Sequence, residues 1–292
     1  MTAPALLARA RTFASLVRLS HSVFALPFAL VSLLAATGGR PSLRLLGLVV
    51  LAVVAARTAA MAYNRYADRD LDGRNPRTAG REIPRGAVSP RAALALALGS
   101  GAVFLLACWW LAPVCGWLGG PTLLWLFGYS HVKRFSALCH LWLGIALGLS
   151  PVAAWLAADG AFGPRLWAPA VLGCGVAAWV AGFDVLYACQ DEAFDRTAGL
   201  HSLPVRLGAR GAMWCSRVLH ALALGGFAAF GWLALGAAWQ VGVGLALSLM
   251  VWQHALLRPH DLSRIQTAFF TANGAIAVVM FVAGCLDLYL LA

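Results

Sequence analysis

LRLLGLVVLAVVAARTAAMAYNRYADRDLD, residues 43–72, passes without a break from an apolar run into a cluster of carboxylates. Residues 43–62 match the roughly 20 apolar residues that a helix needs to cross a bilayer. Asn64, Asp68 and Asp72 then follow at spacings of four. On a helix that spacing advances by about 40° per step, so the three form one stripe, with Arg57 two turns earlier on the same side. The stripe begins at the end of a span and runs into the next loop, so its carboxylates meet water instead of the bilayer midplane.

The same pattern returns 123 positions later, where Tyr187, Asp191 and Asp195 repeat the spacing of Asn64, Asp68 and Asp72, with Asp184 just upstream. Arg77-Thr78-Ala79-Gly80 recurs as Arg196-Thr197-Ala198-Gly199, and Ile83-Pro84 is echoed by Leu203-Pro204. Two related halves are implied, each with a carboxylate stripe at one end of a span.

Outward from these motifs the chain is apolar almost throughout. Of its 292 residues 61% are hydrophobic and 11% charged, against roughly 45–50% apolar in soluble domains. The pattern predicts an all-α, polytopic membrane protein, a single domain over 1–292. Nine spans are read near 21–37, 43–62, 92–111, 113–130, 138–158, 166–187, 212–234, 236–256 and 267–290, in a bundle of two related halves. The pairs 92–130 and 212–256 are divided only by Ala112-Pro113 and Leu235-Gly236, so an even number is the alternative.

A net charge of +11 raises nucleic acid as a partner, but the basic residues sort by membrane side. With the N-terminus inside, eighteen of the 22 fall in cytoplasmic segments, including Arg9, Arg11, Arg18, Lys133 and Arg134. The outer loops hold Arg40, Arg44 and Arg165, and Arg57 lies inside a span. That is the positive-inside pattern, and nucleic acid is set aside. The basic, then apolar start mimics a secretory signal, but its apolar run exceeds the roughly 7–15 residues of a signal core; the first helix is expected to stay. The seven cysteines form no CxxC pair and read as small buried hydrophobes.

Carboxylates one turn apart repel, and clustering them calls for a cation. An oxygen-only donor set suits Mg²⁺, which commonly takes one or two carboxylates together with water and substrate phosphate oxygens. Asn64, Asp68, Asp72, Asp191 and Asp195 are the candidate metal-binding residues, and the four aspartates the candidate catalytic ones. Arg77, Arg81, Lys133 and Arg134 are candidates for diphosphate oxygens. Metal and cations together favour ionisation of an allylic diphosphate, with apolar and aromatic walls shielding the carbocation. Arg57, an ionisable group inside a span, is read as binding an acceptor carboxylate. Asp184 is read as orienting Arg57 or an acceptor hydroxyl, with Tyr187 beside it in the substrate site. His21, His131, His140 and His254 show no ligand spacing and are read as structural.

NRYADRDLD at 64–72, RTAGREIPRG at 77–86, YSHVKRF at 129–135, DVLYACQDEAFDRTAGLHSLP at 184–204 and DLSRIQTAFFTANG at 261–274 together resemble the UbiA family of membrane prenyltransferases. The resemblance implies a nine-helix bundle around a central cavity, with Asn64, Asp68, Asp72, Asp191 and Asp195 at the magnesium–diphosphate positions and Arg77, Arg81 and Lys133 at basic ones. REIP at 81–84 and FSALCHLWLG at 135–144 are similar to a bacterial subgroup, 4-hydroxybenzoate polyprenyltransferase-like, linked to menaquinone made through futalosine. The implied substrates are a polyprenyl diphosphate and an aromatic acid, 4-hydroxybenzoate or 1,4-dihydroxy-6-naphthoate, in ubiquinone or menaquinone biosynthesis. The implied location is the bacterial inner membrane with the site on the cytoplasmic side, and no obligatory protein partner is indicated. Haem-, chlorophyll- or lipid-type prenyl transfer is an alternative. So is a secondary transporter, although transporter sites sit near the midplane and these carboxylates cluster at one face.

Overall fold

A computed structural model of the chain describes residues 12, 13, 15–17, 24 and 26–291. Arg9, Arg11, Arg18 and His21 lie outside the described residues. The first expected span appears as α1 (Leu26–Ala36), and α2 (Leu43–Ala67) continues the second beyond position 62 into the motif. A six-residue helix, α3 (Arg69–Arg74), follows directly. Next come α4 (Pro90–Leu111), α5 (Pro113–Val132) and α6 (Cys139–Asp159). The second half repeats the order: a long α7 (Trp167–Ala188), a six-residue α8 (Glu192–Thr197), then α9 (Leu203–Ala234) and α10 (Ala237–Ala255). A π-helical turn, Thr267–Ala272, leads into α11 (Asn273–Tyr289).

Helices therefore stand at every expected span. Six segments are long and apolar enough to cross a membrane: Leu43–Ala67, Pro90–Leu111, Cys139–Asp159, Pro164–Thr197, Leu203–Ala234 and Thr267–Tyr289. α1 is apolar but short, while α5 has Gly, Pro and Trp, and α10 has two glutamines and a histidine, in place of aliphatic residues. The molecule is a multi-pass membrane protein. Leu98, Leu106, Leu222 and Val278 face outward, as lipid contact requires. Trp110, Trp117, Trp167, Trp232 and Tyr289 are exposed at the end of the bundle away from the two carboxylate stripes, matching the aromatic belt of a membrane interface.

α7 is the central helix, packed on both α6 and α9, while α2 packs on α4. Trp179 and Phe183 of α7 join Phe24, Phe28, Phe227 and Phe269 in the largest apolar cluster. The α6–α7 contact is built on glycine: a Cβ on Gly148 would lie 2.4 Å from the Gly173 carbonyl oxygen, and one on Gly173 would lie 2.6 Å from that of Gly148. Small residues at such crossings let membrane helices approach closely. That approach fixes the site, because α6 carries His140 and α7 carries Asp184 and Tyr187.

Both stripes, read at helical spacing from a span's end into the next loop, pass through a break between two helices. α2 ends at Asp68 (φ −95°, ψ 3°) and α3 restarts at Arg69, yet the Asp68 N–H still donates to Asn64 O (2.9 Å) and the Asp72 N–H to Asp68 O (2.7 Å). The first stripe thus keeps its spacing through the break. In the second, a 3₁₀ turn at Cys189–Asp191 separates Asp184 and Tyr187 on α7 from Asp195 on α8. α9 begins at Leu203, ahead of the expected 212, by passing through Gly208 at φ 69°, a conformation open to glycine.

Candidate functional site

Two cavities that share a wall lie among α2, α5, α6 and α7, the polar one at the end that carries the aspartates and the apolar one running away from it through the bundle. The polar one, about 200 Å³, is lined by both stripes and by Arg77, Arg81 and Lys133. The other, about 380 Å³, is apolar, lined by residues such as Val49, Phe104, Leu147 and Phe183, and it also holds Arg57. Asn64, Tyr129 and Asp184 line both. Along α2 the apolar cavity runs from Asn64 to Val49, about 22 Å at 1.5 Å per residue.

Every candidate residue except Arg57 and Arg134 lines the polar cavity. Asp68 is buried and accepts from Lys133 Nζ (2.6 Å) and Asn64 Nδ2 (3.0 Å), with Arg134 Nη2 at 3.4 Å. Arg134 donates to the Ala67 carbonyl at 2.8 Å and so braces the break between α2 and α3 from outside. Asp72, also buried, takes Arg81 Nη1 on Oδ1 (2.6 Å). Asp191 receives Arg77 through two hydrogen bonds, Nε to Oδ1 at 2.8 Å and Nη2 to Oδ2 at 2.5 Å. Burial opposes the Arg77 cation, but the hydrogen bonds and charge of Asp191 outweigh it and hold its pKa above the ordinary arginine value. The Arg77 guanidinium also lies over the Tyr187 ring, 5.4 Å from its centroid, a cation–π contact.

Asn75, which lies between the two motifs of the first half, joins the halves. Its Nδ2 donates to Asp191 Oδ1 (3.0 Å) while its Oδ1 accepts the Arg77 N–H (3.0 Å). Its carbonyl receives the N–H groups of Thr78 and Ala79, so it organises the loop that presents Arg77 and Arg81. Position beside the repeated RTAG word was the available signal, but no second asparagine precedes Arg196. Ser15 Oγ ties this loop to the start of the chain through Glu82 Oε1 (2.6 Å).

Two expectations change. Asp184 does not meet Arg57: its Oδ2 lies 2.7 Å from His140 Nδ1. Arg57 Nη1 donates to the Val17 carbonyl at 3.1 Å and the residue lines the apolar cavity. His140, read as structural, instead forms part of the polar cavity wall. His254 pairs with His220 at 2.9 Å, away from both cavities, and His131 bonds Tyr63 at 3.0 Å.

A divalent ion fits the donor set. Among the described residues no three His, Cys, Asp or Glu side chains stand close enough to hold a metal by themselves. An ion that takes one or two carboxylates and completes its shell with water and phosphate needs fewer. Asp72 Oδ2 is buried with no hydrogen-bond partner, a lone pair that a cation would satisfy.

The profile of the UbiA prenyltransferase family matches residues 25–282. The 4-hydroxybenzoate octaprenyltransferase of Aromatoleum aromaticum is 32% identical, covering 86% of this chain and 84% of its own. That of Alkalilimnicola ehrlichii is 31% identical and 99% of each chain is covered. The apo structure of a UbiA homolog from Aeropyrum pernix K1 superposes with a TM-score of 0.83 at 34% identity, covering 91% of this chain and 98% of that one. A UbiA homolog from Archaeoglobus fulgidus bound to GPP and Mg²⁺ shares the fold, with a TM-score of 0.75 at 20% identity over 95% and 99% of the two chains.

Proposed function

Because the chain belongs to the UbiA prenyltransferase family, we propose that it transfers a polyprenyl group from polyprenyl diphosphate to an aromatic acid, with Mg²⁺, and releases diphosphate. The observation that carries this reading is the junction of a polar, carboxylate- and cation-lined cavity with a long apolar one. A diphosphate joined to a hydrocarbon tail has the same two-part chemistry. The curated relatives carry 4-hydroxybenzoate octaprenyltransferase as their name, and a protein of the same fold holds both GPP and Mg²⁺.

Asn64, Asp68, Asp72, Asp191 and Asp195 are the residues that would hold the metal. Bound there, Mg²⁺ would supply charge neutralisation for the departing diphosphate. Arg77, Arg81 and Lys133 are each held by a carboxylate, and diphosphate oxygens offer them equivalent acceptors, which frees Asp191, Asp72 and Asp68 for the ion. The cations then stabilise charge that develops on the leaving group. Phe24, Phe183 and Phe269, with ring centroids 5.2–5.6 Å apart, wall the apolar side of the junction. Their faces exclude water from the allylic cation and stabilise it. The tail lies in the apolar cavity. The whole chain works as one domain in a bacterial inner membrane, with the polar cavity on the cytoplasmic side, where basic residues concentrate.

The test is an assay of purified protein with a polyprenyl diphosphate, Mg²⁺, and 4-hydroxybenzoate or 1,4-dihydroxy-6-naphthoate in parallel, following prenylated product by mass. Product from either supports the reading and names the quinone route; product from neither overturns it. Arg57 is the residue for the acceptor carboxylate. Arg57→Ala is expected to raise the acceptor KM by about tenfold to a hundredfold, the worth of a charged hydrogen bond, with a smaller change in the diphosphate KM. Equal changes in both would move Arg57 away from the acceptor.

A further inference from the structure

Resting on the prenyl-transfer reading above, we propose that Asp184 takes the proton that leaves the acceptor ring, with His140 as the positioning residue that fixes its carboxylate. If the diphosphate occupies the polar cavity and the tail the apolar one, the reacting carbon lies where the two join. Asn64, Tyr129 and Asp184 line that junction. Asn64 Nδ2 is engaged by Asp68 Oδ2 and Ser130 Oγ, and an amide accepts protons poorly. Tyr129 is a phenol. Asp184 brings a carboxylate, a base of the right class.

The carboxylates of the metal stripes are held differently. Asp68, Asp72 and Asp191 each form an ion pair with a lysine or arginine, and Asp195 lines the polar cavity away from the junction. Asp184 faces an imidazole. The Leu203 backbone N–H donates to His140 Nε2 at 3.3 Å, so Nε2 is the accepting nitrogen and Nδ1 carries the hydrogen that Asp184 Oδ2 accepts at 2.7 Å. The tautomer follows from these partners. His140 sits in the first turn of α6 and Asp184 near the end of α7. The backbone approach at Gly148 and Gly173 holds these two helices together, so the dyad is preset.

The step balances. The C1–O bond of the prenyl diphosphate breaks and its electron pair leaves with the diphosphate. A ring carbon activated by the hydroxyl bonds C1 with a π pair. The C–H bond at that carbon then breaks, its pair restores the aromatic ring, and the proton passes to the Asp184 carboxylate. From there the polar cavity leads it to water. No oxidant or reductant is consumed.

The experiment measures diphosphate release and prenylated acid separately in wild type, Asp184→Asn, His140→Leu and His140→Gln. Each is run with ordinary acceptor and with acceptor deuterated at the reacting ring carbon. In Asp184→Asn, diphosphate release is expected to persist while prenylated acid falls by about 10²–10⁴-fold, the range of a general base, and a primary isotope effect appears on product. His140→Leu moves the same way to a smaller extent, and His140→Gln, which keeps an N–H donor, restores most of the loss. Parallel loss of both products without an isotope effect, or full activity in Asp184→Asn, overturns the proposal. Absence of prenylated acid with wild type is the separate outcome that sinks the prenyl-transfer reading itself.

Discussion

Asp191→Asn is expected to yield a folded, membrane-inserted protein whose turnover is lower by at least about 10²–10³-fold, the cost of deleting one preset electrostatic group at a developing charge. Asparagine keeps the shape and can still accept the Asn75 amide, but it removes the anion. Asp191 is where the two halves meet: Asn75 and Arg77 from the first converge on it across the cavity. In the proposed site, loss of that charge takes a metal ligand from the second stripe and releases Arg77 for diphosphate. The loss should therefore appear in kcat and in the Mg²⁺ requirement more than in the diphosphate KM. Initial rates over a grid of Mg²⁺ and diphosphate concentrations check this, with melting in detergent as the control for folding. Turnover within a few-fold of wild type would remove Asp191 from the metal site.

The second large effect concerns the scaffold. Gly148→Leu places side-chain atoms where the Gly173 carbonyl oxygen stands, 2.4 Å from the first carbon. No rotamer relieves a clash with backbone, so α6 and α7 must separate. Overpacking of this kind costs typically 1–3 kcal/mol and sometimes more, and here it also separates His140 from Asp184. A clear fall in melting temperature together with lost activity is expected. Gly120→Ala is the matched control, since nothing lies within 4 Å of a Cβ there and surface changes of this sort usually stay within about 0.5 kcal/mol. Equal melting of the two variants would mean that the α6–α7 crossing does not hold the bundle.

Much of the architecture was legible because apolar runs of span length are local signals. α4, α5, α6 and α7 each begin and end within about two residues of the segments read from the sequence, within the usual uncertainty of helix ends. The repeated words also marked where the carboxylates gather, but as loop, where the structure has the short helices α3 and α8. The breaks were not legible. Asp68 leaves helical geometry while i→i+4 hydrogen bonds run through it, so its spacing reads as one continuous helix. In the second copy the 3₁₀ turn changes the angle between Asp184 and Asp191, and spacing alone cannot report that.

Pairings between distant segments were the other gap. His140 meets a carboxylate 44 positions away, and nothing near it in sequence marks the contact. Arg57 lies on the expected face of α2, but its hydrogen bond to Val17 O depends on a segment 40 residues earlier. Asp287 shows the same limit at the opposite end of the bundle. Near the end of α11, it accepts the N–H groups of Gly236, Ala238 and Trp239 and caps α10, satisfying donors that a helix start leaves open. A lone acid in an apolar run gives no hint of that role.

In the proposed function the two stripes form one metal–diphosphate site that drives prenyl transfer. Its most direct test is a Mg²⁺ titration of the purified protein against EDTA, recording diphosphate release and prenylated acid together in wild type and Asp72→Asn. Both products should be absent in EDTA, rise in step with Mg²⁺ at one diphosphate per prenylated acid, and stay near zero in the variant at every Mg²⁺ concentration. Undiminished product in EDTA, or in Asp72→Asn, would mean that the stripes do not form such a site.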